Sequence, residues 1–430
     1  MKFFGVEGLS RKTISIFFLI KIVFGLAVWC VYTFYYTNRT ANDVFKFYDD
    51  AAIMFSAIHH HPMHYVQMVL GINTDASYLT PYYKQMWNWY KPWAAATYHN
   101  NRIIIQFNAL VYLFSFGYYN VHTVFMCFLS LIGLTGIYKT FFPLLKNKSK
   151  ELAFAVFLIP SVLFWGSGVL KEGIILFALG MLIYNLYQFL FCKISSIGFF
   201  WIVFSATILA LTKIYVFAAF FPSVLSLILL KITGNQYMFL KFAGVHLLIF
   251  ILVVNMYRLN PNWDVMNVLQ HKQWSFITMA KKGNAGSFIS TKILEPNTVS
   301  LLKNAPEAIV NTLFRPHLFE SKSLFMLMSA LENMFLIILI FASFLFFKKP
   351  NKENLPLLYT SVFFVLTLSL LIGIVNPVLG SIVRFRIPLL PFYAIIFLLL
   401  LDKEKLIKRI PFIVSIRAFI TKKNCANTKF

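Results

Sequence analysis

Charge is the first thing this 430-residue chain is short of: Asp, Glu, Lys and Arg make up 13% of it, about half the share of an ordinary soluble domain. Hydrophobic residues make up 59%, and the mean hydropathy is +0.72. So few polar groups cannot cover so much apolar surface in water, which excludes a soluble fold. Cysteine is equally sparse. Cys30, Cys127, Cys192 and Cys425 form no CxxC or Cys/His ligand spacing, so neither a disulfide framework nor a structural zinc is indicated. There is no glycine-rich phosphate loop, no internal repeat, no low-complexity tract and no small-residue cleavage site after the first apolar run. That run, 14–35, reads as an uncleaved first helix.

Apolar runs are abundant. About 20 predominantly apolar residues cross a bilayer. The candidates are 14–35, 121–142, 152–169, 173–192, 196–212, 214–231, 242–257, 326–347, 355–374 and 387–401. They predict an all-α, polytopic integral membrane helix bundle of about ten transmembrane helices, a single domain over 1–401 with a basic tail at 402–430. Ile103–Phe116 reads as amphipathic and lying flat in the membrane interface, with a tilted span as the alternative.

Basic residues outnumber acidic ones 39 to 15, a net charge of +24. Nucleic acid is not the reason, because the charge lies in short loops and the tail. With ten spans, one side holds 22 Lys/Arg and 5 Asp/Glu, the other 17 and 10. Lys2, Arg11, Lys12, Lys139, Lys146, Lys148, Lys150, Lys348, Lys349, Lys352 and the tail all fall on the first. The positive-inside rule makes that side cytoplasmic, with both termini on it. Two long segments, about 36–120 and 258–325, then face outward. The first crowds Tyr82, Tyr83, Trp87, Trp89 and Trp93 together, and loops of such length usually carry function.

Ionisable residues beside membrane spans are expensive and read as functional. Four groups lie on the outer side. The first is Asn42–Ala52. As a helix it puts Asp43, Lys46 and Asp50 on one face, with Asp49 about 100° away. Its carboxylates suit a general base or a metal site, and equally a solvated helix start. The second is the Pro/Gly-broken stretch from Pro160 to Lys171 and Glu172, where the charge pair opens a helix. The third is Arg315, Pro316 and His317 with Glu320 and, inside the next span, Glu332; a structural Arg–Glu pair is the alternative there. The fourth is Arg384-Phe385-Arg386, whose guanidinium forks match phosphate or serve as snorkelling anchors. His59, His60, His61 and His64 read as a polar interfacial patch or a metal site, and Lys213 as a further outer cation.

Carboxylates beside cations at a membrane surface suit a lipid-linked phosphorylated substrate. The cations would meet the phosphate, and a carboxylate would activate an acceptor hydroxyl. Three segments carry a resemblance: Phe45-Lys46-Phe47-Tyr48-Asp49-Asp50-Ala51, Phe164-Trp165-Gly166-Ser167-Gly168-Val169-Leu170-Lys171-Glu172 and Arg384-Phe385-Arg386-Ile387-Pro388-Leu389-Leu390-Pro391. Over about 40–400 the chain resembles polytopic glycosyltransferases of the GT-C superfamily, and the second and third segments resemble motifs of bacterial envelope-polysaccharide membrane proteins. The resemblance implies a multi-pass protein of the bacterial inner membrane with its site facing the periplasm. It implies a polyprenyl-phosphate-linked sugar donor and a glycan, lipid or protein acceptor. It also implies Asp49 or Asp50 as catalytic base. Asp43, Lys171, Glu172, Arg315, Glu332, Arg384 and Arg386 are then the substrate-binding candidates. The resemblance fixes no cofactor and leaves a divalent metal, Mg or Mn, open; no nucleotide is needed at such a site. The chain lacks the large soluble C-terminal domain of oligosaccharyltransferase-like members. The rival readings are an O-antigen or exopolysaccharide polymerase or ligase, a lipid-linked oligosaccharide flippase or transporter, and a non-catalytic membrane assembly subunit.

Overall fold

A computed structural model describes residues 2–39, 42–89, 100–192 and 195–409. Trp93, Cys425 and the tail beyond 409 lie outside them. Among the described residues the protein is all-α, with three isolated β-bridges and no strand. That is the expected outcome for apolar segments in lipid, where only a helix satisfies every backbone polar group within one segment.

Helix α1 (Arg11–Cys30) continues through a π-helical turn at Val31–Tyr35. The long segment after it is helical too: α2 (Asp43–Ser56), α3 (Pro62–Leu70), α4 (Thr80–Gln85) and α5 (Arg102–Ser115). These pack Phe47, Tyr48, Met54, Tyr65, Tyr83, Trp89 and Ile105 into an apolar cluster of their own. Then follow α6 (Tyr119–Phe141), α7 (Ser149–Phe157), α8 (Pro160–Trp165), α9 (Lys171–Tyr187), α10 (Ser196–Thr212), α11 (Ile214–Thr233) and α12 (Met238–Asn255). The second long segment folds as α13 (Val265–Lys282) and α14 (Thr298–Phe314). Helices α15 (Leu324–Leu345), α16 (Leu355–Val375), α17 (Leu379–Phe385), α18 (Leu390–Leu400) and α19 (Lys403–Arg409) complete the chain.

Seven of the described helical segments are long and apolar enough to cross a membrane, and eight if the pair 379–385 and 387–400, bent by 44°, is one span. The sequence expectation of about ten is too high by this measure, for two local reasons. The run 152–169 is interrupted at Leu158–Ile159, ahead of Pro160, giving two short helices. Helix α10 has 17 residues, about 25 Å, against a hydrocarbon core of about 30 Å. Both segments nevertheless run from one end of the bundle to the other. Glu151 in α7 pairs with Lys403 at 2.5 Å, while the Trp165 ring at the end of α8 lies beneath Arg384, 5.5 Å from its guanidinium carbon. Phe199 in α10 meets Phe189 near the end of α9, and Lys213 just after α10 meets Glu172 at the start of α9.

The bundle is held by close helix contact as well as bulk. Where α6 crosses α9, a Cβ added to Gly133 would lie 2.1 Å from the Leu176 carbonyl oxygen, and one on Gly180 would lie 1.9 Å from that of Gly133. Small residues of this kind let membrane helices approach backbone to backbone, where dispersion replaces the missing hydrophobic drive. At the Lys-rich end, Lys148 donates to the carbonyls of Leu398 (2.6 Å) and Leu401, and Lys139 to that of Phe3. At the opposite end, Gln273 ties α13 to α16 through the Ile374 carbonyl.

Candidate functional site

Four of the predicted residues meet at that opposite end, although the sequence scatters them over more than 340 positions. Glu172 sits in the first turn of α9 and is 1% exposed. The turn leading to it packs closely against α1: a Cβ on Gly168 would come within 2.9 Å of the Val28 side chain. Arg384, in the last turn of α17, forks onto Glu172 with Nε–Oε1 3.0 Å and Nη2–Oε2 3.3 Å. Lys213 reaches the same carboxylate, Nζ–Oε1 3.1 Å. The remaining Arg384 nitrogen donates to Asp43 Oδ2 at 2.9 Å, and Asp43 also faces Lys46 at 3.8 Å. Lys171 bonds the amide oxygens of Asn100 (3.0 Å) and Asn101 (2.5 Å). Among the described residues, four cations (Arg384, Lys213, Lys171, Lys46) stand around two carboxylates, so the cluster has an excess of positive charge suited to an anion.

Aromatic rings face these cations. Arg384 lies over Trp165, Lys213 over Phe385 (4.3 Å) and Lys171 over Phe47 (5.3 Å). Such faces favour a cation once water is removed. The Asp43 side chain keeps 44% of its surface exposed, whereas that of Glu172 keeps 1%. Burial opposes ionisation of Asp43, but Arg384 and Lys46 outweigh it and hold the carboxyl below its usual value.

Asp49 and Asp50 lie on the same helix but serve other partners. Asp49 forms a two-point pair with Arg39 (3.0 and 2.5 Å) that is about half exposed. Asp50 is buried and accepts the backbone N–H groups of Trp87 (3.0 Å) and Asn88 (2.8 Å). Burial raises its pKa, and those two N–H groups oppose the shift. The predicted helix face holds for Asp43 and Lys46; Asp50 instead pins the 87–88 turn.

Arg384 and Arg386 part company. Two residues along a helical turn place side chains about 200° apart, and Arg386 points into the bundle. It donates to the Thr312 and Arg315 carbonyls (3.1 and 3.0 Å) and to Asn333 Oδ1 (2.6 Å), with Glu332 at 3.6 Å. Glu332 accepts the Ser161 N–H at the start of α8 (2.7 Å). Arg315 pairs with Glu320 and reaches Asn311 at 3.2 Å. Arg315, Glu332 and Arg386 therefore form a second cluster that joins α8, α14, α15 and the last span, apart from the Glu172 group.

The histidines do not gather as ligands. The His61 and His64 rings lie tilted with centres 4.6 Å apart, and His64 stacks on Tyr78. Among the described residues no three His, Cys, Asp or Glu side chains converge as a metal-holding group. Asp43 and Glu172, the carboxylates of the cluster, are each paired with cations.

Sequence reading missed Lys21. It lies 1% exposed in the middle of α1 and donates to the Gly166 carbonyl (3.2 Å), steadying the turn that delivers Lys171 and Glu172. The signal was there: a lysine within the apolar run from Ile14 to Cys30. The contacts of Asn100 and Asn101 with Lys171 had no such signal. Compared with protein-family models, with curated proteins and with solved structures, the chain matches none.

Proposed function

We propose that this chain is an integral membrane glycosyltransferase. It moves a sugar from a polyprenyl-phosphate-linked donor to a glycan, lipid or protein acceptor at the periplasmic face of a bacterial inner membrane. The observation that carries the reading is the gathering of Arg384 and Lys213 on Glu172 and of Arg384 on Asp43, with Lys171 in electrostatic reach of Asp43, at the helix ends beside the two long helical segments. Donor phosphate oxygens meet Arg384 and Lys171. Asp43, ionised and half exposed, takes the proton of the acceptor hydroxyl as its oxygen bonds to the sugar's anomeric carbon. The anomeric C–O bond to phosphate breaks, and the lipid phosphate leaves with the electron pair, its charge met by the cations. Asp43 is chosen over Asp49 and Asp50 because it adjoins Arg384, whereas Asp49 pairs with Arg39 and Asp50 with the 87–88 backbone. The orientation rests on the Lys/Arg distribution, which makes the opposite end cytoplasmic.

The test is expression of the wild type, Asp43→Asn and Arg384→Ala at matched membrane abundance, with profiling of lipid-linked and surface glycans. Loss of one glycan in both variants, with its polyprenyl-linked precursor accumulating, is expected. Unchanged glycans in both overturn the enzymatic reading. The diversion of Asp49 and Asp50 also favours a second reading, a polymerase or ligase of lipid-linked glycans that relies on Arg384 and Glu172 without an Asp base. Full activity of Asp43→Asn with loss in Arg384→Ala selects it.

A further inference from the structure

Beside Arg384 stands a wall of aromatic rings that the transfer chemistry leaves unused. The π-helical turn ending α1, closed by the Tyr36 N–H to the Val31 carbonyl at 2.9 Å, sets Tyr32 against Tyr36 with ring centres 5.4 Å apart and planes at 33°. The Tyr32 ring centre is 6.5 Å from that of Trp165, the ring that carries Arg384 on its face. Such π turns occur disproportionately at functional sites. Asn42 donates to the Tyr36 carbonyl at 2.5 Å, which ties the end of the wall to the residue that precedes α2. Tyr36 is 45% exposed and the Asp43 side chain 44%, and Arg384, carried on the Trp165 face, donates to Asp43, so ring faces, a carboxylate and an arginine fork follow one another along this end of the bundle.

A sugar ring matches this combination. Its C–H face stacks on an aromatic ring, its hydroxyls donate to a carboxylate, and its attached phosphate meets the guanidinium. We propose that Tyr32, Tyr36 and Trp165 form a saccharide subsite, which seats the pyranose ring of a lipid-linked sugar phosphate against the Arg384–Asp43 pair. This rests on the phosphate-binding reading above and adds that the sugar is recognised through its ring face. Aromatic side chains also anchor helices at the membrane surface; that role alone requires no preference for sugar.

The experiment uses the full chain in nanodiscs. Its probes are undecaprenyl diphosphate and the same lipid carrying N-acetylglucosamine or galactose. The wild type binds both classes and prefers at least one sugar-bearing lipid by about tenfold, the scale of one good ring contact. Tyr36→Ala removes that preference while binding of the sugarless lipid persists. Tyr36→Phe keeps the preference, because it keeps the ring. Trp165→Ala weakens both lipids, since it also bares Arg384. A wild type that binds the two classes equally, or a Tyr36→Ala variant that still prefers sugar, overturns the subsite and leaves the phosphate reading standing. Failure of the wild type to bind either class overturns both.

Discussion

Arg384 and Glu172 meet across 212 residues of chain in a two-point ion pair, and the same carboxylate also holds Lys213. A buried carboxylate serving two cations keeps them at one place against their mutual repulsion. Replacing it leaves uncompensated charge in the bundle, a change that typically costs about 3–5 kcal/mol. Glu172→Gln is expected to lower the thermal midpoint in detergent markedly and to abolish glycan output. Arg384→Lys is expected to keep more stability than Arg384→Ala but little activity, because one ammonium cannot serve Glu172 and Asp43 together. Full activity of Arg384→Lys would show that the fork is dispensable.

Asp43 and Asp50 answer pH with opposite sign. The Asp43 pKa is lowered, so its ionisation stabilises the folded protein above the ordinary carboxylate range, and this contribution is lost as pH falls through the lowered value. Lys46→Gln removes one of the opposing charges and leaves Arg384 in place. The acid limb of the activity profile is expected to move to higher pH in that variant; an unmoved limb separates Asp43 from the proton transfer.

For Asp50, burial raises the pKa, so its ionisation opposes folding as pH rises from the ordinary carboxylate range through the raised value. Asp50→Ala is expected to cost about 1–3 kcal/mol by orphaning the Trp87 and Asn88 N–H groups. Asp49→Ala, which breaks an exposed pair, is expected to cost within about 1 kcal/mol. Denaturation midpoints of the two variants at matched pH check the contrast. Transfer activity in Asp49→Ala is expected to stay near that of the wild type.

Arg386 holds α14, α15 and the last span together through Thr312, Arg315, Asn333 and Glu332. Arg386→Ala is therefore expected to reduce membrane abundance, with activity per folded molecule largely kept. Activity lost at undiminished abundance would instead move Arg386 to the substrate.

Helices α6 and α9 touch through the backbone at Gly133 and Gly180. Gly133→Leu is expected to force them apart and to displace the turn carrying Lys171 and Glu172. Faster proteolysis of the membrane-embedded protein, together with lost glycan output, is the outcome to look for.

Much of this protein follows from sequence alone. The helical character, seven of the expected spans and the bent last one, the Lys-rich end, and the general location of four polar groups are all local. Hydropathy and helix periodicity depend on residues within a few turns, and lipid leaves no other regular structure for such runs. The breaks are less legible. Leu158–Ile159 before Pro160 and the short α10 lower the span count, because ten neighbouring apolar residues look alike on either side of an interruption. Partnership was decided only in three dimensions. Asp43 and Arg384 are 341 positions apart, and nothing local marks Asp43, rather than Asp49 or Asp50, as the carboxylate that Arg384 meets. Arg384 and Arg386 read as one phosphate fork, yet the turn of the helix sends one to Glu172 and the other to Asn333. A charge's desolvation cost is visible in the sequence; the group that offsets it is chosen by which helix ends the packed bundle brings together.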